Sequence, residues 1–131
     1  MSEENVETVR IALRALDQRD VDGYLRVVSP DIEVINPASE MEGASIGHAG
    51  MRRFFAELES SAESSSFEVS EIRAVGPQVL ALFTLTMVGR MSGAETSVDL
   101  AGVYSFEDNK IRRAHVYLDR EAAFEAAALS E

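Results

Sequence analysis

The chain has 131 residues, of which 46% are hydrophobic. That is material for one domain burying roughly two thirds of the surface its unfolded form exposes, so global disorder is excluded and one domain over residues 1–131 is expected. Twelve basic against 23 acidic residues leave a net charge of −11, which repels phosphate backbones and anionic surfaces; neither nucleic acid nor a membrane is an expected partner. The absence of cysteine removes disulfides, thiol nucleophiles and the usual zinc motifs. No apolar run approaches the ~20 residues of a membrane span, and the acidic start MSEENVET lacks the basic and apolar segments of a signal peptide. A cytoplasmic location is expected.

From Glu3 to Leu16, Val6, Val9, Leu13 and Leu16 recur at helical spacing and predict a first helix with one apolar stripe. Asp20 is placed to cap a short second helix carrying Val21, Tyr24, Leu25 and Val28, ended by Ser29-Pro30 because the residue before proline avoids the helical region. Ile32 to Asn36 reads as a short strand closed by Pro37, and Pro37 to Gly50 as loop around at most a short strand near Met41. Met51, Phe54, Phe55 and Leu58 then mark a third helix. The serine-rich stretch from Ser60 to Ser66 reads as a surface connection. Beyond it the period changes. Phe67 to Val75, Val79 to Arg90, Glu95 to Phe106 and Lys110 to Leu118 are β-branched and aromatic runs separated by turn residues, an antiparallel meander. Asp119 precedes an alanine-rich closing helix, REAAFEAAAL. Helices followed by strands define the α+β class, with helices on one face of the sheet.

A loop centred on Ser92-Gly93 pairs Met87 with Val98, Leu85 with Leu100 and Phe83 with Gly102 on an apolar face, leaving Thr86 and Asp99 on the other. The last hairpin has two possible registers, and a shift of one residue exchanges the faces of its final strand. A two-residue loop at Asp108-Asn109 puts Arg113, His115 and Tyr117 on the apolar face, whereas a three-residue loop at Glu107-Asp108-Asn109, with Asn109 left-handed, puts Ala114, Val116 and Leu118 there. The second is favoured because it completes a continuous apolar surface.

With these elements in place, GHAGMRRFF (Gly47 to Phe55), Ser92-Gly93 and the ending YSFEDNKIRRAHVYLDREAAFEAAAL make the chain resemble the nuclear transport factor 2-like superfamily, and within it the SnoaL-like branch. The resemblance implies a cone-shaped, strongly curved antiparallel sheet packed on three N-terminal helices, with a short C-terminal helix, an apolar pocket and a homodimer formed through the sheet. Ketosteroid isomerase, limonene epoxide hydrolase, scytalone dehydratase and polyketide cyclases share this shape, and fold alone does not choose among them.

Carried over residue by residue, the resemblance mostly shows absences. Where the isomerases place a general-base aspartate, this chain has Asn36, whose amide does not abstract a proton. Their oxyanion-hole positions correspond approximately to Ala12 and Gly102. The acid and arginine positions of the epoxide hydrolases fall near Phe83, Leu85 and Val116. Asp119 is the nearest match to the acid that polyketide cyclases carry at the end of the last strand.

Each candidate has a plainer structural role beside it. Asp119 is placed to cap the closing helix, Asn36 to form a turn before Pro37, His48 to sit at the start of the third helix, and His115 to lie on the outer face as a dimer contact. His48, His115, Asp99 and Asp119 have no metal-ligand spacing, so no metal or other cofactor is expected. The expected pocket comprises Tyr24, Asn36, Met51, Phe54, Phe83, Leu85, Met87, Val98, Leu100, Tyr104, Val116 and Leu118. It would hold a small apolar molecule, with Tyr104 or Asn36 as polar handles. The alternatives are an enzyme of cyclase, isomerase or hydratase type using Asp119, His48 or His115, and a dimeric scaffold whose cone is filled.

Overall fold

The computed structural model describes residues 2–39 and 43–128. Helix α1 (Ser2–Gln18) buries Val9 and Leu13 of the predicted stripe, with Val6 and Leu16 partly buried beside them, and adds Ala12 and Ala15 to the buried face. Left-handed Arg19 stops it, where the backbone N–H groups of Arg19 and Asp20 close onto the carbonyls of Leu16 and Ala15. The Arg19 guanidinium secures this end by donating to the Glu59 carboxylate (2.8 Å), the Ala62 carbonyl (3.1 Å) and the Ser65 hydroxyl (3.3 Å). Asp20 caps α2 (Val21–Val27), its carboxylate accepting the Gly23 N–H at 3.0 Å. That cap orients Tyr24 and Leu25 into the core.

The chain passes directly into β1 (Val28–Ile35), which starts earlier than the sequence pattern predicts and contains Pro30 in a stretch not paired with the neighbouring strand. The short strand of the next loop is β2 (Ser45–Ile46); Met41, where it was expected, lies outside the described residues. Helix α3 (Gly47–Ser61) begins one turn before Met51, which puts His48 in its first turn. Four longer strands follow in sequence: β3 (Ala62–Val75), β4 (Gln78–Gly89), β5 (Glu95–Glu107) and β6 (Lys110–Tyr117). Helix α4 (Arg120–Ala128) ends the described chain, with Leu129 beyond it.

Several expectations need correction. The serine-rich segment is no connection: Ser64, Ser65 and Ser66 pair with Val88, Met87 and Thr86 as the first part of β3, because the long neighbouring strand offers backbone partners along its whole length. The sheet is mixed, in the order β2-β1-β6-β5-β4-β3, with β1 running parallel to β6 and all other pairs antiparallel. It is not strongly curled, and helices cover both faces: α1, α2 and α3 lie on one, while α4 packs Ala123 and Ala127 against Leu80, Leu82, Ala101 and Val103 on the other.

Register is corrected at both hairpins. The β4–β5 pairing is displaced by two residues, so that Leu85 faces Val98 and Phe83 faces Leu100; an even displacement changes partners and preserves faces. In β5–β6 the loop is the two-residue form, Glu107 pairing with Lys110 around left-handed Asp108 and Asn109. A bulge then supplies the missing residue: Phe106 pairs with Ile111 and Ser105 with Arg113, leaving Arg112 as the extra one. The bulge returns Ala114 and Val116 to the face of α1–α3, the orientation that was expected from a three-residue loop.

Candidate functional site

Alternation along β4, β5 and β6 brings Phe83, Leu85 and Met87, then Val98, Leu100 and Tyr104, then Ala114 and Val116 onto the helix-covered face. Opposite them stand Ala12, Leu13 and Leu16 of α1, Tyr24 of α2, and Met51, Phe54 and Leu58 of α3. The two sides do not meet throughout. Between them lies a cavity of about 540 Å³, completed by Val34 and Asn36 at the end of β1 and by Phe67 of β3. Its closed end is made by residues almost without solvent exposure, such as Leu13, Met51, Tyr24 and Phe83. Its mouth is marked by exposed Pro37, Ala38, Arg53, Glu57, Ser61 and Leu118.

All twelve residues expected at a pocket, from Tyr24 and Asn36 to Val116 and Leu118, line this one space. Asn36 lies on its border with its carboxamide oxygen committed to a local turn, accepting the Ala38 N–H at 2.9 Å. Leu118 is 60% exposed and belongs to the mouth. The three acid–base candidates lie elsewhere. Asp119 caps α4, its carboxylate accepting the Glu121 N–H at 2.9 Å; His48 places Nε2 at 3.3 Å from the Val28 carbonyl; and His115 stacks on Tyr117 with ring centroids 4.1 Å apart. No group of histidine and carboxylate side chains suited to a metal ion occurs among the described residues.

The sequence pattern did not single out Arg53, Glu57 or Phe67. The two charged residues sit one helical turn apart on α3, at the border of its apolar stripe, where a helical wheel could have found them. Phe67 stands in the sequence pattern only as the first residue of a predicted strand. Its ring lies 6.1 Å from that of Phe83 and forms part of the wall.

Polarity inside the cavity is concentrated in Tyr24 and Tyr104. Only 4% and 5% of their surfaces are exposed, and neither hydroxyl has a hydrogen-bond partner among the described residues. Burial raises the pKa of both well above the ordinary phenol value, and for Tyr104 the neighbouring Tyr24 adds to the shift. Both are therefore neutral O–H groups at any physiological pH. The Tyr24 ring is held edge-on by Phe55, centroids 5.4 Å apart. Tyr104 lies over Gly102, where an added Cβ would stand 2.7 Å from its hydroxyl oxygen.

Helices enclosing an apolar cavity against one face of a meandering sheet define the nuclear transport factor 2-like, ketosteroid isomerase-like class. Within that class the SnoaL-like domain model matches residues 9–114, and the chain belongs to that family. Among solved structures, it resembles an NTF2-like protein of unknown function from Burkholderia pseudomallei, with 22% identity, TM-score 0.79 and coverage of 95% of this chain and 97% of that one. TerC co-crystallised with polyporic acid is similar at 23% identity and TM-score 0.78, over 95% and 98% of the two chains. A putative polyketide cyclase from Sinorhizobium meliloti is similar at 19% identity and TM-score 0.68, over 85% and 94%. At these identities the likeness is one of fold. No curated protein matches the chain, and no helix among the described residues is long and apolar enough to cross a membrane.

Proposed function

We propose that the chain is a small-molecule-binding protein that holds one compact apolar molecule in the cavity between the sheet and α1–α3. The observation that carries this reading is the space itself: about 540 Å³ walled by aliphatic and aromatic side chains and open at one end. Pockets of this size and lining are the usual form of small-ligand sites. An open cavity also counts against the scaffold with a filled cone. Thermal shifts with a library of lipophilic compounds test the proposal. At least one apolar compound should raise Tm, and the rise should disappear in Val116→Phe, which fills the space without adding polarity. No stabilisation by any apolar compound, or stabilisation indifferent to the filling substitution, would sink it.

A second reading, an enzyme of cyclase, isomerase or hydratase type, has one observation in its favour. Glu57 is a carboxylate that lines the cavity, whereas Asp119, His48 and His115 do not. On this reading Glu57 is the base. Deuterium exchange into the α-carbon of an enolisable ketone, followed by proton NMR and lost in Glu57→Gln, would favour it over simple binding.

A further inference from the structure

We infer that Arg53 and Glu57 form a two-charge clamp at the mouth of the cavity for a zwitterionic head group, so that the ligand class is an apolar α-amino acid whose side chain enters the cavity. The inference rests on the small-molecule reading above and adds a head group to it. Its first ground is place. Among the described residues, Arg53 and Glu57 are the charged side chains that border the cavity. Both come from α3, four residues apart, which sets their Cβ atoms about 6 Å from each other on one side of the helix. Phe54 and Leu58, each next in sequence to one of them, line the same space. An apolar body lying against these two therefore ends beside both charges.

The second ground is that the protein itself uses neither charge. On α1, Glu7 and Arg10 join at 2.8 Å. On α3, no ion pair or side-chain hydrogen bond engages the Arg53 guanidinium or the Glu57 carboxylate among the described residues. Order contributes to the difference, since acid before base is the stronger helical arrangement and α3 has base before acid. The next acid of the helix does not compete for Arg53, because Glu59 is held by Arg19 at 2.8 Å and by Arg90 at 3.4 Å.

The third ground is the sum of the charges. A ligand with a carboxylate alone would meet Arg53 but be opposed by Glu57 and by the net charge of −11. An amine alone would meet Glu57 and be opposed by Arg53. An α-amino acid carries both groups on one carbon and has no net charge for the wider field to act on. Its carboxylate accepts from the guanidinium, and its ammonium donates to the Glu57 carboxylate. Both residues are exposed, so the head group keeps water on its outer side. At the apolar closed end the same head group would be desolvated at a large cost.

Four probes sharing a naphthalene body test this by titration at neutral pH and fixed ionic strength: 2-naphthylalanine, 3-(2-naphthyl)propanoate, 2-(2-naphthyl)ethylamine and 2-ethylnaphthalene. Naphthylalanine should bind more tightly than either singly charged analogue. Arg53→Gln should weaken it by about twofold to fivefold and strengthen the amine, while Glu57→Gln should weaken it as much and strengthen the propanoate. The exchange of both charges, Arg53→Glu with Glu57→Arg, should recover naphthylalanine binding relative to either single variant, which a merely structural role would not do. Affinity for 2-ethylnaphthalene should stay level throughout, showing that the variants fold. If the hydrocarbon binds but naphthylalanine has no advantage over its analogues, or keeps it without Arg53 and Glu57, the clamp is overturned and the apolar cavity stands. Dodecylphosphocholine, a zwitterion whose cation has no N–H, should gain nothing from Glu57; dependence on both charges would instead assign the mouth to a lipid head group. If none of the naphthalenes binds the wild type, the cavity reading falls together with the clamp.

Discussion

The two faces of the sheet are made from the same strands, residue by residue in alternation, and have opposite fates. On the α4 side, Leu80, Leu82, Ala101 and Val103 meet Ala123 and Ala127 in a closely packed contact. Alanine side chains let the helix axis approach the sheet. On the other side, Phe83, Leu85, Val98 and Leu100 face helices whose own large side chains hold them away at the centre, and a cavity of about 540 Å³ remains. Hydrophobicity is high on both sides. Side-chain size on the opposing helix decides whether it becomes a packed core or a container.

That contrast predicts unequal costs for the same truncation. Leu80 is almost fully buried on the α4 side, and Leu80→Ala should destabilise by about 3 kcal/mol, since it removes contacts and leaves a new void. Leu85 is half-buried and already borders empty space, so Leu85→Ala should cost about 1 kcal/mol, close to the transfer contribution alone. Denaturant unfolding of the two variants measures the difference. Equal costs would mean that the cavity collapses around its lining and that the faces are not distinct.

How much of this could be read from the sequence follows from which signals are periodic. The stripe of α1, the Asp20 cap and the inward set Phe83, Leu85, Val98 and Leu100 depend only on local spacing, and each stands where the spacing put it. Registers were less legible. The β4–β5 displacement of two residues leaves no trace in a period-two pattern. At the last hairpin, the turn and the bulge at Arg112 are errors of opposite effect for side-chain facing, so the inward position of Val116 was reached from the wrong loop. The parallel β1–β6 pair was illegible because its partners are far apart in sequence. Among site features, Tyr24 and Tyr104 were visible as polar residues on apolar faces, whereas their shared lack of partners exists only in three dimensions.

The junction between sheet and α4 gives the next smaller effect. Asp119 accepts the Glu121 N–H, and its carbonyl accepts the Ala123 N–H at 3.2 Å. Asp119→Ala removes the side-chain cap alone and should lower stability by about 1 kcal/mol. Because the carboxylate does not line the cavity, affinity for an apolar probe should stay unchanged. Thermal melts and probe titration of this variant together check both statements, and a loss of affinity at unchanged Tm would move Asp119 from the cap to the site.

The smallest effect separates the faces by pH. His115 stacks on Tyr117, and its pKa is lowered first by burial and then by the Arg113 guanidinium, against a weaker opposite pull from Glu33. Val103 of β5 and Ile35 of β1 pair with its backbone and bring no further charge. The folded state therefore prefers the neutral imidazole. The associated stability is fully present above the unfolded value of about 6.5 and is lost as pH falls through the lower folded value. Between about pH 7.5 and 5.5, the Tm advantage of wild type over His115→Gln should shrink. The closed end of the cavity holds two phenols that stay protonated throughout that range, so affinity for a neutral apolar probe should remain level while stability declines. A Tm difference that does not vary with pH would remove His115 from the account, and affinity that falls in step with stability would mean that the two faces of the sheet are coupled.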